Sequence, residues 1–235
     1  MKNEVLKIRL KRIRRWVLLI LVAFLSASIV SVVLLRFMPV PLTPLMVIRC
    51  AEQTSGGEEL KLSKKWTSLS ALGDNMAKAV IAAEDQKFEE HFGFDFEAIK
   101  KARQYNQRHE GKRLKGASTI SQQTAKNVFL WPGRSWIRKG FEVYFTFLIE
   151  VFWSKERILE VYLNVIETGD GIYGAEAAAQ TFFNKPCNHL SASEAALIAA
   201  VLPNPRRWRP DKPSAYISRK AVRISRMMGN VSYGE

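Results

Sequence analysis

An uncharged stretch of twenty residues, Trp16 to Leu35, constrains what this chain can fold into more than any other feature. About twenty consecutive apolar residues are enough for a helix that crosses a bilayer. A cleaved signal peptide is the alternative, but its apolar core is shorter and ends at small residues. Here Arg36, Phe37, Met38 and Pro39 follow instead. We therefore expect an uncleaved transmembrane anchor over residues 16–36.

Basic residues before this stretch set its expected orientation. Residues 1–15 hold seven Lys or Arg side chains and one carboxylate, Glu4. Because the Lys/Arg-rich flank stays in the cytoplasm, we expect a cytoplasmic tail over 1–15, a connector over 37–74 and a periplasmic domain over 75–235. The protein would then be a single-pass protein of the inner membrane.

The net charge of +14 suits phosphates, an anionic membrane or nucleic acid. Nucleic acid is disfavoured because the basic residues would face the wrong compartment. Cys50 and Cys187 have 136 residues between them and no metal-type spacing, so we expect two unpaired thiols. The three histidines are scattered, and a structural metal is not expected.

Apolar spacing along the remaining chain predicts helices and no strand of useful length. The predicted helices cover residues 75–88, 96–106, 119–129, 136–152, 155–164, 175–183, 192–202 and 214–228. We therefore expect an all-α domain with two lobes around a cleft.

The run Gly116 to Asn127 predicts a capped helix with one polar face. Thr119 and Gln122 fit a capping box. Ser118, Gln122 and Lys126 are spaced four apart and share a face. Free N–H groups at the helix N-terminus, with a lysine further along that face, suit an anion such as a phosphate. The plainer alternative is a capped surface helix.

Two adjacent carboxylates, Glu84 and Asp85, end a predicted apolar helix. Their side chains point about 100° apart, so they are expected to do different jobs. Glu84 continues the apolar face, where the environment destabilises a carboxylate's charge, and this suits acid–base chemistry. Asp85 is expected to brace the following loop.

Aromatic residues crowd the segment Phe129–Trp153. Core packing must explain many of them. Trp131, Trp136 and Trp153 stand beside basic residues, and this combination is typical of a surface that rests among lipid headgroups.

Several ordered motifs together resemble the peptidoglycan glycosyltransferases, the family of the polymerase domain in class A penicillin-binding proteins. The motifs are Glu84-Asp85-x-x-Phe88-x-x-His91-x-Gly93, Gly116-x-Ser118-Thr119-Ile120-x-Gln122-Gln123-x-x-Lys126-Asn127, Arg138-Lys139-x-x-Glu142 and Arg157-Ile158-Leu159-Glu160-x-Tyr162-Leu163-Asn164. The likeness covers about residues 75–210. The chain has no S-x-x-K motif, so a transpeptidase is not expected and a monofunctional member is. Val165-Ile166-Glu167-Thr168-Gly169 departs from a more aromatic ending that is common after Leu163-Asn164.

The resemblance implies a lysozyme-like fold. It also implies an enzyme that polymerises lipid II into β-1,4-linked glycan and releases undecaprenyl pyrophosphate. Glu84 matches the general base, and Lys126 and Arg134 match residues that neutralise the pyrophosphate. Glu142 matches a second motif carboxylate that positions the donor or the basic groups. The other residues expected to bind substrate are Ser118, Thr119, Gln122, Gln123 and Arg138.

The resemblance implies no obligatory cofactor and leaves a divalent cation, Mg or Mn, open. The implied partners are lipid II, the nascent glycan strand and inner-membrane lipid, with cell-division or wall-synthesis proteins as further candidates. Two other functions stay open. One is a lysozyme-like lytic transglycosylase, which would cut the polymer. The other is a membrane-anchored division scaffold without activity.

Overall fold

The computed structural model describes residues 2–109, 115–133, 135–231 and 233. The chain divides into two units, Met1–Met38 and Pro39–Glu235. The first unit is helix α1, Lys2–Phe37, with apolar side chains that face outward along most of residues 16–25. Within the described residues one helix, over Arg9–Phe37, is long and apolar enough to cross a membrane. The predicted anchor is therefore present as a candidate membrane span.

The second unit is mostly helical, as predicted. Its helices are α2 (Pro44–Ser55), α3 (Leu69–Leu72), α4 (Asp74–Glu84), α5 (Phe96–Arg108), α6 (Ile120–Phe129), α7 (Trp136–Phe152), α8 (Lys155–Val165), α9 (Ala175–Phe183), α10 (Ala192–Val201) and α11 (Ala215–Met228). A short 3-10 helix covers Cys187–His189. Residues 44–55 and 69–72, which belong to the segment expected to be a connector, thus form α2 and α3.

Three very short strands form a small sheet that the sequence did not predict. They are β1 (Ser63–Lys64), β2 (Glu167–Gly169) and β3 (Ile172–Tyr173), in the order β1-β3-β2. β3 pairs in parallel with β1 and antiparallel with β2. Strands of two or three residues are too short to show an alternating pattern of apolar and polar residues.

Two groups of helices form the core of this unit. In one, α4 packs against α10 and α11; in the other, α6 packs against α7 and α8. Alanines fill much of α10, where Ala195, Ala196, Ala199 and Ala200 are fully buried and let the neighbouring helices approach closely. The C-terminal end of α4 meets the N-terminal end of α6, and this junction positions the candidate site.

Most predicted helix bounds agree with the structure to within two residues, and α4 is the exception. It ends at Glu84 rather than at residue 88, because Asp85 adopts an extended φ of −161° and turns its carboxylate to the next helix group. α7 begins where Ser135 caps it by accepting a hydrogen bond from the Arg138 N–H at 3.1 Å.

The aromatic segment divides between core and surface. Phe129 stacks on Phe145 with ring centroids 4.5 Å apart, and Trp153 is only 5% exposed beside them. The surface role expected for Trp153 is therefore wrong, because this indole fills the core between α6 and α7. Trp136 is 92% exposed and Trp131 is 45% exposed. Cys50 and Cys187 are both free thiols, as predicted.

Candidate functional site

Asp85 joins the two helix groups at the site. Its Oδ2 accepts a hydrogen bond from the Ile120 N–H at 3.0 Å, and its Oδ1 lies 2.9 Å from His91 Nε2. The carboxylate is buried, and a buried charge is stable only when such partners satisfy it. The predicted bracing role of Asp85 is confirmed.

Glu84 is the last residue of α4 and is half-buried. Its Oε2 accepts a hydrogen bond from Gln123 Nε2 of α6 at 2.8 Å. No ion pair of Glu84 occurs within the described parts of the chain. Its side chain lines a cavity of about 580 Å³, which we call the acidic cavity because Asp85, Asp95 and Glu97 line it as well.

The predicted capping box at the start of α6 is present. Thr119 Oγ1 accepts a hydrogen bond from the Gln122 N–H, and Gln122 Oε1 accepts one from the Thr119 N–H, each at 3.1 Å. Thr119 Oγ1 also donates to the Gly93 carbonyl at 2.7 Å. Gly93 has a φ of +75°, and a Cβ there would lie 2.8 Å from Thr146, so only glycine fits.

The expectation that free N–H groups of this helix end bind an anion is corrected by these contacts. Asp85 takes the Ile120 N–H and Thr119 takes the Gln122 N–H. An N–H that is already bonded inside the protein offers little to a ligand. Any anion held here must therefore be bound mainly by side chains further along the helix.

A second cavity, of about 480 Å³, lies on the other side of Ser118 and Gln123, which line both cavities. We call it the basic cavity. Its charged lining side chains are Arg49, Lys126, Arg138, Lys139, Glu142 and Glu167. Ser118, Gln122 and Lys126 all line it, as their shared spacing predicts.

Lys126 is the distinctive cation of the basic cavity. Among the residues that the structure describes, its ammonium has no hydrogen-bond or ion-pair partner. Burial lowers the pKa of Lys126, and the nearby Glu142 carboxylate opposes that shift. A half-buried ammonium without a partner is unfavourable unless a ligand supplies negative charge.

Glu142 is, in contrast, fully engaged. It is 3% exposed, and its Oε2 accepts a hydrogen bond from Arg138 Nη1 at 2.8 Å while its Oε1 pairs with Lys139 Nζ. Arg138 and Lys139 lie about one helical turn before Glu142 on α7. Glu142 therefore holds two cations at the wall of the basic cavity.

Two lining residues of the basic cavity were missed by the sequence analysis. Arg49 of α2 and Glu167 of β2 approach to 3.7 Å between Nε and Oε1. Burial raises the pKa of Glu167, and Arg49 opposes this shift. The departure from the family pattern at Glu167 was a usable signal. Nothing local marked Arg49, because tertiary packing brings α2 to α6.

The structure thus gathers the predicted residues around two adjoining cavities. Glu84, Ser118, Thr119 and Gln123 line the acidic one, and Ser118, Gln122, Gln123, Lys126, Arg138 and Glu142 line the basic one. Arg134 lies outside the described residues. No group of three His, Cys, Asp or Glu side chains within the described ranges is placed to hold a metal ion.

This arrangement places the Glu84 carboxylate, which accepts a hydrogen bond from a neutral amide, beside the basic cavity. The carboxylate can take a proton from a hydroxyl group, and the basic cavity can hold an anionic leaving group. A reaction in which a hydroxyl displaces a phosphate would use both cavities at once.

Comparison with known proteins identifies the family of this chain. The family model described as Transglycosylase matches residues 53–229. A biosynthetic peptidoglycan transglycosylase of Bdellovibrio bacteriovorus is 55% identical over 216 residues, which are 92% of this chain and 86% of the relative. Proteins with the same name from Bacteroides thetaiotaomicron and Caulobacter vibrioides are 54% and 47% identical. These two alignments cover 94% and 93% of this chain, and 89% and 92% of the relatives.

Proposed function

The chain belongs to the transglycosylase family, and we propose that its two cavities polymerise lipid II into β-1,4-linked glycan with release of undecaprenyl pyrophosphate. Polymerisation of peptidoglycan glycan for the cell wall is the activity of the family. The observation that carries the detailed proposal is the half-buried ammonium of Lys126, without a partner in the described chain, next to the Glu84 cavity.

The acceptor would react from the acidic cavity. The C4 hydroxyl oxygen of its GlcNAc attacks C1 of the terminal MurNAc of the growing chain, and its proton passes to the Glu84 carboxylate. Glu84 suits this role because it borders the cavity and accepts one hydrogen bond from a neutral amide. A carboxylate paired with a cation would be a weaker base.

The donor would place its pyrophosphate in the basic cavity. As the new C1–O bond forms, the bond from C1 to the pyrophosphate oxygen breaks, and the electron pair leaves with the phosphate. Lys126 and Arg138 line this cavity and would stabilise the developing charge, with Arg134 as a further candidate. Ser118, Thr119, Gln122 and Gln123 would position the sugars, and Glu142 would hold Arg138 and Lys139 in place.

A lytic enzyme is the second candidate, and the Lys126 ammonium weighs against it. Cleavage of a glycan strand releases a neutral sugar hydroxyl, so a cleaving enzyme would have no anionic leaving group for Lys126 to neutralise.

We place α1 across the inner membrane, with residues 2–15 in the cytoplasm and residues 39–235 in the periplasm. The basic N-terminal flank supports this orientation. α7 also carries an outward apolar stripe of Trp136, Val143, Phe147 and Val151, and Phe92 meets Phe147 edge-on at 6.2 Å. A stripe of this kind suits contact with lipid, where the substrate's own lipid tail resides.

Polymerisation is tested with the full-length protein and labelled lipid II in detergent. We expect a polymer that a muramidase reduces to disaccharide units, together with equimolar release of undecaprenyl pyrophosphate. The control substrate is a preformed glycan strand, which should stay intact. Cleavage of that strand without consumption of lipid II would support the lytic enzyme instead.

The orientation is tested with the two native thiols. Cys50 is half-buried in the second unit, whereas Cys187 is buried. A membrane-impermeant maleimide is expected to label Cys50 in intact spheroplasts, and the Cys50→Ser variant should lose that label. Labelling that requires permeabilised membranes would reverse the orientation.

A further inference from the structure

We propose that Tyr162 and Gln123 are positioning residues that hold the Glu84 carboxylate aimed at the acceptor hydroxyl. The base role of Glu84 rests on the proposed function. The hydrogen-bond chain itself is a property of the folded protein, and it can be tested without substrate.

The three side chains form one continuous chain of hydrogen bonds across α8, α6 and α4. The Tyr162 hydroxyl donates to Gln123 Oε1 at 3.2 Å. Gln123 Nε2 donates to Glu84 Oε2 at 2.8 Å. Tyr162 is fully buried, so its hydroxyl cannot exchange this partner for bulk water.

The direction of these bonds follows from chemistry. An ionised carboxylate only accepts hydrogen bonds, so Gln123 must turn its NH₂ group toward Glu84 and its carbonyl toward Tyr162. The carbonyl then requires a donor, and the Tyr162 hydroxyl is one. Burial raises the pKa of Tyr162 well above its ordinary value, so this hydroxyl keeps its proton.

The Gln123 amide is the hydrogen-bond donor that fixes the direction of the Glu84 oxygen, at 2.8 Å. Because this donor is neutral, it orients the carboxylate without adding a positive charge that would hold the carboxylate in an ion pair. Charged side chains of both signs line the acidic cavity around Glu84, among them Asp85, Lys87 and Lys101.

The kinetic test uses polymerisation of lipid II by the full-length chain. Gln123→Leu removes the donor to a charged group and is expected to lower kcat roughly 10–100-fold. Tyr162→Phe removes one neutral hydrogen bond and should lower kcat about 3–10-fold with little change in KM. Tyr162→Phe should add nothing in the Gln123→Leu background.

Tyr173→Phe is the matched control. Tyr173 is also fully buried, and its hydroxyl has no partner in the described part of the chain. This variant should keep the activity of the unsubstituted protein. Additive losses, or a loss in Tyr162→Phe that appears in KM rather than in kcat, would overturn the proposal.

A spectroscopic test separates this inference from the proposed function. In the ¹⁵N-labelled full-length chain, the Gln123 side-chain amide signal is assigned by its loss in Gln123→Leu. We expect it to move in both Tyr162→Phe and Glu84→Gln and to stay in place in Tyr173→Phe. A Gln123 signal that moves in neither Tyr162→Phe nor Glu84→Gln would refute the hydrogen-bond chain. Failure of the unsubstituted protein to make polymer would refute only the proposed function.

Discussion

Glu84 and Glu142 are the same residue type in adjoining cavities, yet their surroundings differ completely. Glu84 ends a helix at the wall of the acidic cavity and accepts a hydrogen bond from a neutral amide. Glu142 is buried within α7 and is bound by Arg138 and Lys139. The comparison teaches that the partner decides the role. A carboxylate with a neutral donor is able to accept a proton, whereas a carboxylate between two cations organises them.

The largest effect is expected from Glu84→Gln, which removes the proposed base and keeps the shape. Polymerisation should fall about 10³-fold, within the range that general-base catalysis supplies. The melting temperature should stay unchanged, because Glu84 makes no ion pair in the described chain. Lipid II turnover and thermal unfolding measure the two quantities. If Glu84→Gln made polymer at the rate of the unsubstituted protein, Glu84 would be excluded as the base. The proposed difference in role between Glu84 and Glu142 would then not hold.

Lys126→Ala tests the basic cavity and should lower turnover about 10²-fold, as expected when one contact to a developing negative charge is lost. Its melting temperature should not fall, since burial already disfavours the charge of Lys126. Lys212→Ala, an exposed lysine outside both cavities, is the control and should be silent. A large drop in melting temperature without a specific loss of turnover would make Lys126 a structural residue.

Glu142→Gln should reverse the pattern seen for Glu84→Gln, with a smaller loss of activity and a larger loss of stability. We expect turnover to fall about tenfold, since Arg138 and Lys139 lose only their anchor. Removing one partner of a buried ion pair costs about 3 kcal/mol. In a domain of this size that cost lowers the melting temperature by roughly 5–10 °C. A loss of turnover as large as that of Glu84→Gln, at unchanged stability, would give both carboxylates a chemical role.

Lys126→Arg should have the smallest effect. At neutral pH its turnover should fall only a few-fold, because a guanidinium differs in shape from an ammonium. Because burial lowers the pKa of Lys126, its charge disappears at a lower pH than that of an exposed lysine. Activity that depends on this charge is present below that pKa and is lost as the pH rises through it. Arginine stays charged, so the alkaline limb of the pH–rate profile should move to higher pH. An alkaline limb that does not move would assign it to another group.

The helices of this fold were largely predictable because local signals mark their ends. The Thr119–Gln122 box begins α6, as predicted, and Ser135, a residue type common at this position, caps α7. The end of α4 was not predictable, since Asp85 leaves the helix to bond an N–H that lies 35 residues later. The sheet strands are too short to show any periodicity.

The sequence predicted most of the residues that line the candidate site, but not the hydrogen bonds and ion pairs that these residues make. Glu84, Lys126 and Glu142 follow from the motif resemblance, and their partners do not. Sequence spacing could not show that Asp85 and Thr119 take up the N–H groups at the start of α6, or that Gln123 joins Glu84 to Tyr162. It also could not place Arg49 at the basic cavity, because that contact depends on how α2 packs.

The contact between Asp85 and the Ile120 N–H also closes a long loop in the chain. The entropy of closing a loop grows only with the logarithm of its length, so doubling this one would cost about 0.6 kcal/mol. The segment of this loop between Gly93 and Thr119 can therefore accept added flexible residues at little energetic cost while the junction stays closed. Sequence drift can then reshape one edge of the acceptor's cavity, because Ala98 and Lys101 lie in that segment, without moving Glu84.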